Sequence, residues 1–354
     1  MEFGLSQEQT LLQDSINKFL TDQVPLDSVR QIATGDTSDA QVWQGLAEMG
    51  IPGLLIPEAH GGVGLGLLDA AIVAECLGYH VTPGPFISSA VMAPVALLAS
   101  GKDEILAAIT SGTRRVGIAF GEAIGARNDA GITVSGETLS GKCIFVLDTD
   151  ADDYLIAAPD KKLYLVAADA DGLKRKNLTT VDKTRSTCEL VMDNVTCELI
   201  SEDPEVYNST LDAGRVMQAA DTLGAAQCML DQAVAYAMQR EQFNRVIASF
   251  QAVKHMCAEM AANLEPCRSM VWYAGYALDE VPEEARLIAC HSKAHLAEVG
   301  KFVAKTSTEV HGGMGFTDLV GLHYWFKRIG ANRQLLGAPE LVREEAARLQ
   351  KLVA

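Results

Sequence analysis

The feature that most constrains the fold is a change of sequence texture in the middle of the chain. Between positions 115 and 201, short runs rich in β-branched residues alternate with turn-forming segments. The runs occupy positions 116–120, 131–135, 143–147, 154–158, 163–166 and 188–192. No helical pattern separates them, so these strands must pair with one another. The segment is predicted to form a compact antiparallel β-barrel or β-sandwich.

Helical periodicity flanks this segment on both sides. Apolar residues recur at three-to-four-residue spacing near the start of the chain, where Ser6 is predicted to cap the first helix. The pattern returns at Asn208 and continues to the end, with Ser249 as a possible helix cap and a new helix expected after Pro266. The sequence therefore predicts a multidomain α+β fold. Its parts are an N-terminal helical domain (1–112), a central β domain (113–203) and a C-terminal helix bundle (204–354).

Charge and composition narrow the range of partners. The 354-residue chain has a formal net charge of −17 and no block of like charges, so nucleic acid is not an expected partner. Its eight cysteines show no CxxC spacing and are expected to be reduced, and no metal site is predicted. The start lacks a signal-peptide pattern, and no apolar run is long enough to span a membrane. A cytoplasmic protein is the expectation.

Two polar or glycine-rich interruptions in the C-terminal helices are candidates for a binding site. In the segment 238–255, Arg240 offers a planar fork of donors that suits two phosphate oxygens. Further on, Gly312 and Gly313 end a helical pattern and let the backbone approach a ligand without interference from a Cβ atom. Taken singly, the arginine has the simpler interpretation of an exposed helix charge, and the glycines that of a helix stop.

Together with their order along the chain, these motifs resemble the acyl-CoA dehydrogenase family of flavoproteins. The motifs that carry the resemblance are Arg240-Glu-Gln-Phe243, Phe250-Gln251, His311-Gly-Gly-Met-Gly-Phe316, Ile56-Pro-Glu58 with Gly61-Gly62, and Arg215. Each motif is short, but their order fits the helix-strand-helix layout and spans nearly the whole chain. The chain resembles in particular the divergent subunits of bacterial heteromeric steroid and acyl-CoA dehydrogenases.

The resemblance implies oxidation of an acyl-CoA thioester between Cα and Cβ, in which a carboxylate removes the α proton and FAD accepts a hydride. It also implies a homo- or hetero-oligomer, dimeric or tetrameric, with FAD at a subunit interface. The residues implied to bind FAD are Arg240, Gln242, Phe243, Gln251, Gly312 and Gly313. Arg215 is implied to contact the substrate.

The flavin-ring side of the family pattern is altered in this sequence. Family members usually have threonines beside the ring, but the matching positions hold Gly121 and Leu147, and Phe145 replaces a tryptophan. The hydrogen bonds that those threonines make to the ring are therefore expected to be absent.

The expected catalytic glutamate is also absent. The two positions at which the family carries it hold Gly214 and Gly337, and a glycine cannot remove a proton. Asp318 is the leading substitute for the base, ahead of Glu309 and Asp212, although a helix N-cap is the alternative role for Asp318.

Three functional hypotheses follow from these departures. The chain is an FAD-dependent acyl-CoA dehydrogenase, or a subunit of one, that introduces an α,β double bond. Alternatively, it is a non-catalytic partner subunit in a heteromeric enzyme, where a second chain supplies the ring-side residues and the base. The third hypothesis is a structural helical protein that has lost catalysis.

Overall fold

The computed structural model describes residues 4–125 and 131–353. Its N-terminal region is helical, and Ser6 caps the first helix as predicted, since its hydroxyl accepts a hydrogen bond from the Gln9 N–H at 3.1 Å. The α-helices of this region are α1 (Gln7–Gln23), α2 (Leu26–Thr34), α3 (Ala40–Glu48), α4 (Leu67–Tyr79), α5 (Ala93–Leu98) and α6 (Asp103–Thr110). A π-helical segment, Phe86–Met92, leads directly into α5.

The central region contains eight described strands, and each of the six predicted runs overlaps one of them. The strands are β1 (Val116–Ala119), β2 (Thr133–Ser135), β3 (Thr138–Leu147), β4 (Asp153–Ala157), β5 (Leu163–Ala167), β6 (Leu173–Asn177), β7 (Thr187–Thr196) and β8 (Glu198–Ser201). They form one sheet in the order β6-β7-β3-β1-β4-β5-β8, with β2 paired to β3.

The barrel alternative and the purely antiparallel pairing are both wrong. Within the described part of the chain, β6 and β8 lie at opposite ends of the strand order and do not pair, so the sheet is open and sandwich-like. One central pair is parallel, because β1 and β4 run in the same direction with Val116 opposite Asp153. The intervening β2–β3 hairpin carries the chain back across the sheet before β4 begins.

The two faces of the sheet pack against different cores. On β4, Leu155 and Ala157 join the large core shared with the helices, whereas Tyr154 and Ile156 belong to a second core made only of residues from the central region. This alternation follows from the two-residue period of a strand. Because both faces are covered, every residue of β1 and β4 is buried.

The C-terminal region is a bundle of long helices. Its members are α7 (Pro204–Gln239), α8 (Gln251–Glu280), α9 (Pro282–His311), α10 (His323–Gln334) and α11 (Pro339–Leu349). A short hairpin, β9 (Glu241–Gln242) with β10 (Arg245–Val246), connects α7 to α8. Among the described residues, no helix is both long and apolar enough to cross a membrane.

Two predictions in this region are wrong. The helix does not restart after Pro266, because α8 continues through it. A proline costs a helix one hydrogen bond, but Leu264 and Cys267 are buried on either side of it, so tertiary packing holds the helix together. Ser249 is not the cap of α8 either: its hydroxyl donates to the Val246 carbonyl at 2.7 Å, and Phe250 occupies the N-cap position.

Glycines allow α7 to pass very close to α4. A Cβ atom added at Gly224 would lie 1.8 Å from the Glu75 carbonyl oxygen, and one added at Gly78 would lie 2.0 Å from the Asp221 carbonyl oxygen. Both distances are impossible for real atoms, so each position requires glycine. This contact fixes the N-terminal helices against the center of the bundle.

Arg328 on α10 connects all three regions. Its guanidinium donates to the Thr82 carbonyl oxygen at 3.0 Å, lies 3.0 Å from an Asp182 carboxylate oxygen in the central region, and donates to Asp221 on α7 at 3.0 Å. The side chain is 1% exposed. A single buried cation thus holds the N-terminal helices, the central region and the bundle in register.

Candidate functional site

A cavity of about 550 Å³ lies where the N-terminal helices, the sheet and the C-terminal helices meet. All three regions contribute to its wall, among them Ile87, Phe120, Leu147, Gln218, Leu336 and Gly337. The volume is typical of sites that take small organic ligands. Phe145, Val181 and Leu341 also line the cavity and are exposed, so it opens to the surface.

The sheet side of this cavity contains the positions that the resemblance assigns to the flavin ring. Gly121, Phe145 and Leu147 all line it. Phe145 lies at a register shift between β3 and β7 and has a positive φ of 55°. None of the three has a side-chain hydroxyl. Thr187 also lines the cavity, and its buried Oγ1 has no hydrogen-bond partner in the described part of the chain. Residues 126–130, which continue the segment that begins at Gly121, are outside the described residues.

The two positions expected to hold a catalytic glutamate have different surroundings. A Cβ atom at Gly214 would meet the Met92 sulfur at 2.5 Å and Leu336 at 2.7 Å, so neighboring side chains fill the space of a side chain there. Gly337 lines the cavity with a φ of +109°, a conformation that other residues rarely adopt. The backbone and packing at both positions are therefore adapted to glycine.

The carboxylates that line the cavity are all paired with arginines. Arg115 binds Asp39 through two contacts of 3.0 Å and Asp148 through two contacts of 2.9 Å. Burial raises the pKa of Asp148, while Arg115 opposes that rise. Asp182 lies 3.0 Å from Arg328; burial acts to raise the pKa of Asp182, but the neighboring guanidiniums lower it overall. No lining carboxylate among the described residues is free to act as a base.

Asp318, the predicted substitute for the base, does not line this cavity. Its side chain is 69% exposed, lies 2.7 Å from His323 Nε2 and lies 3.8 Å from Arg30 Nε. The hydrogen bond from His323 lowers the pKa of Asp318. Its position on the outer surface gives no support to a catalytic role. Glu309 is also exposed, and Asp212 is buried against Arg215.

Arg215 is buried behind the cavity wall. Its Nε donates to the Leu336 carbonyl oxygen at 3.1 Å, and its Nη1 lies 2.9 Å from Glu345 and 3.5 Å from Asp212. Burial raises the pKa of Asp212 to about 7. Arg215 thus supports the turn that carries Gly337, while its predicted contact with substrate stays a prediction.

Asp212, Glu345 and Cys290 are close enough together to suggest a metal site by distance alone. Arg215 and Arg286 already supply positive charge to them, since both arginines bind Glu345. The cluster is therefore accounted for as an ion-pair network.

The residues predicted to bind FAD follow the C-terminal ends of α7 and α9 or begin α8, and the ends of α7 and α9 come together in space. Tyr236, in the last turn of α7, stacks on His311, the last residue of α9, with ring centroids 4.7 Å apart. This contact brings the hairpin at 240–246 beside the glycine turn at 312–313. We call the two segments together the hairpin-turn surface. Phe243 at its tip is 86% exposed.

The hairpin-turn surface fits the pyrophosphate part of FAD. Arg240 and Gln242 are exposed on it, Gln251 is exposed at the start of α8, and an added Cβ at Gly312 or Gly313 would meet no atom within 4 Å. A phosphate group can therefore approach the backbone and the guanidinium. The cavity wall fits the flavin ring less well, because Gly121 and Leu147 offer no side-chain donor.

Sequence comparison decides the family. The family model described as acyl-CoA dehydrogenase, N-terminal domain, matches residues 6–113, and the model for the C-terminal domain matches residues 205–350. Acyl-CoA dehydrogenase IpdE2 of Mycobacterium tuberculosis is 30% identical over 350 residues, which cover 98% of each chain. The chain belongs to the acyl-CoA dehydrogenase family.

Solved structures of this family share the fold over the whole chain. The structure of the Tcur3481-Tcur3483 steroid ACAD G363A variant is 29% identical, with a TM-score of 0.88 and 98% of each chain covered. The ChsE4-ChsE5 complex from Mycobacterium tuberculosis is 23% identical, with a TM-score of 0.90 and 100% of each chain covered. Acyl-CoA dehydrogenase family members are FAD flavoproteins, which agrees with the predicted class of cofactor.

Several site residues escaped the sequence prediction. Gln218 and Lys293 lie in helical segments rich in small and apolar residues, and both are buried. A polar residue on a buried helix stripe was the available signal. Arg115 and Arg328 gave no such signal, because their partners are distant in sequence.

Proposed function

We propose that this chain is a subunit of an FAD-dependent acyl-CoA dehydrogenase that introduces an α,β double bond into an acyl-CoA thioester. The observation that carries the proposal is the hairpin-turn surface, on which Arg240 and the Gly312-Gly313 backbone are exposed within the fold of this family. The similarity to a steroid enzyme favors a ring-containing acyl group.

In this proposal the chain offers the hairpin-turn surface to a flavin shared with a neighboring subunit. Two exposed apolar side chains, Phe243 (86%) at its tip and Phe316 (79%) three residues after Gly313, support burial against a second chain. Bound FAD would supply the hydride acceptor. The residues of this chain would bind its phosphates, through Arg240 and the backbone of the glycine turn.

The proton-removing group is proposed to come from a different subunit. Gly214 and Gly337 carry no carboxylate, and the lining carboxylates Asp39, Asp148 and Asp182 are engaged by arginines. Two of the similar structures are named as pairs of proteins, Tcur3481-Tcur3483 and ChsE4-ChsE5, which supports a hetero-oligomer. This arrangement would explain why the chain has residues suited to the phosphates of FAD but, among the described residues that line the cavity, no free carboxylate to serve as the base.

The test is a purification of the chain alone and with any protein that copurifies with it. We expect a flavin spectrum and reduction of the flavin by acyl-CoA thioesters only in the complex. A flavin-loaded chain that oxidizes acyl-CoA by itself would contradict the hetero-oligomer. A complex that binds no flavin would contradict the proposed activity.

A variant separates the role of the hairpin from that of the fold. Arg240→Gln in the complex is expected to weaken FAD binding about tenfold to a hundredfold, because charge-assisted hydrogen bonds are worth roughly 1.5–3 kcal/mol. Arg343→Gln, at another exposed arginine, is the matched control and should leave FAD affinity unchanged. Equal affinities in the two variants would argue against a phosphate contact at Arg240.

A further inference from the structure

Gln218 brings an unpartnered polar group into the cavity. Its side chain, on α7, lines the cavity and is 1% exposed. The amide Nε2 is buried and has no hydrogen-bond partner among the described residues. Such a group costs free energy unless a partner arrives, and burial of an unpaired amide is uncommon in folded proteins. The position therefore has a donor available for a ligand.

Lys293 on α9 fixes the orientation of this amide. Its Nζ donates to Gln218 Oε1 at 2.6 Å and also to the Asn332 carbonyl oxygen. If the amide were flipped, its N–H groups would face the N–H groups of the lysine, and no hydrogen bond would form. The observed orientation is therefore favored. The lysine thus directs the Gln218 N–H donors away from α9 and toward the cavity.

Among the described residues, Lys293 has no carboxylate partner. Burial, followed by nearby arginines, lowers the pKa of Lys293 well below its ordinary value. Its Nζ instead donates to two neutral acceptors, Gln218 Oε1 and the Asn332 carbonyl oxygen. The pair Gln218 and Lys293 is therefore complete on the lysine side and incomplete only where the amide faces the cavity.

The rest of the cavity suits a ligand that is mostly apolar. Ile87, Phe120, Leu147 and Leu336 line it, and exposed apolar residues surround its mouth. A second buried polar atom, Thr187 Oγ1 on the sheet side, also finds no partner within residues 4–125 and 131–353. An apolar wall with a few fixed polar atoms is typical of a site that recognizes one polar substituent on a hydrophobic ligand.

We propose that Gln218, positioned by Lys293, binds a carbonyl or hydroxyl oxygen on the acyl group of a thioester held in this cavity. The inference rests on the proposed function for the acyl-CoA form of its ligand. The same donor could serve a carbonyl oxygen of the flavin ring. We assign it to the acyl group because Gln218 is on the helical wall, while the positions matched to the ring are on the sheet wall.

The experiment compares two thioesters that differ by one oxygen. The probes are 3-(4-oxocyclohexyl)propanoyl-CoA and 3-cyclohexylpropanoyl-CoA, and their dissociation constants are measured by calorimetry on the full chain in its purified assembly. We expect the ketone to bind roughly three- to tenfold more tightly, the difference typical of one net hydrogen bond. Equal binding, as expected if water serves the amide, overturns the inference while leaving the proposed function standing. Failure of both probes to bind overturns both.

Variants assign the preference to this residue. Gln218→Met keeps the length of the side chain and is expected to abolish the preference for the ketone. Gln218→Glu keeps its shape and can pair with Lys293, but replaces the donor with an acceptor, so it should also abolish the preference. Gln31→Met, the same substitution at an exposed position of α2 away from the cavity, is the matched control and should retain it.

The flavin content of each variant distinguishes the two possible oxygens. A preference for the ketone that survives in Gln218→Met and Gln218→Glu overturns the proposal. The proposal is also overturned if these variants lose flavin while the ratio of the two dissociation constants is unchanged. In that case the amide would serve the flavin ring. Thermal melting of each variant confirms that it is folded before binding is measured.

Discussion

The charges of individual buried residues in this chain are balanced by partners that lie far away in sequence. Arg215 is buried and is balanced by Glu345 on α11, which also binds Arg286 with Nε at 3.0 Å. Removal of one partner from a buried ion pair leaves the other charge without compensation. The stability of the wall beside Gly337 therefore depends on Glu345.

Replacement of that carboxylate should destabilize the fold. For Glu345→Gln, we expect the free energy of unfolding to fall by about 1–3 kcal/mol, because two arginines lose their charged partner at a partly exposed site. Glu344→Gln is the matched control, since Glu344 is 52% exposed and its one ion-pair partner among the described residues is Arg348. Urea denaturation measures both. Equal losses in the two variants would contradict the prediction.

A pH dependence follows from Asp212. Burial raises the pKa of Asp212 from 3.8 to about 7, so the folded chain keeps this proton where the unfolded chain has lost it. Its contribution to stability is therefore present at low pH and is lost as pH rises from about 4 to about 7. Asp212→Asn cannot ionize, so its stability relative to wild type should increase by up to roughly 1.4 kcal/mol per pH unit in this window. Parallel stability curves across this range would contradict the prediction.

At the level of structural elements, the hairpin-turn surface depends on how α9 ends. His311 closes the helix and is stacked on Tyr236 of α7, and Gly312 then turns the chain with φ 58° and ψ −139°. This conformation is essentially restricted to glycine. The turn that ends α9 therefore also exposes the backbone beside Arg240.

A pair of alanine substitutions tests this geometry. Gly312→Ala should lower the free energy of unfolding by about 1–3 kcal/mol, because alanine is strained at that backbone conformation. Gly313→Ala is the control: a Cβ atom there meets no atom within 4 Å, so stability should change by less than about 0.5 kcal/mol. Denaturation of both variants gives the comparison. A larger loss at position 313 than at 312 would show that the turn is not held as described.

The whole molecule is held together by buried charges at the junction of its three regions. Arg328 binds the Thr82 carbonyl oxygen, Asp182 and Asp221. Arg115 adds a second link, because it binds Asp39 from the N-terminal region and Asp148 from the sheet. The cavity lies between these links, so its shape depends on all three regions folding together.

Loss of Arg328 should uncouple the regions. Arg328→Met is expected to cost about 3–5 kcal/mol, because Asp182 and Asp221 would lose a charged partner in a buried environment. Differential scanning calorimetry should then show a lower and broader transition, or two transitions. Arg343→Met, at an arginine that is 53% exposed, serves as the control and should melt like the wild type. An unchanged single transition for Arg328→Met would contradict the role of this residue.

The sequence by itself determined the order of the regions, the family and the hairpin-turn motif. These depend on local signals: strands and helices have different apolar periods, and glycines or arginines at fixed spacing are visible without a fold. It failed where packing overrode a local rule, as at Pro266, which α8 contains, and at the sheet, which is open and has one parallel pair.

Only the tertiary structure decided how the site is assembled. Gln218 and Lys293 are 75 positions apart, and the contact between them depends on how α7 packs against α9. Asp318 is near the glycine turn in sequence, yet the fold directs it to the outer surface beside His323 and Arg30. Burial, ion pairing and the direction of a donor are set by neighbors from distant parts of the chain. For that reason the sequence identified the residues of the hairpin-turn surface, whereas only the fold determined which side chains face the cavity.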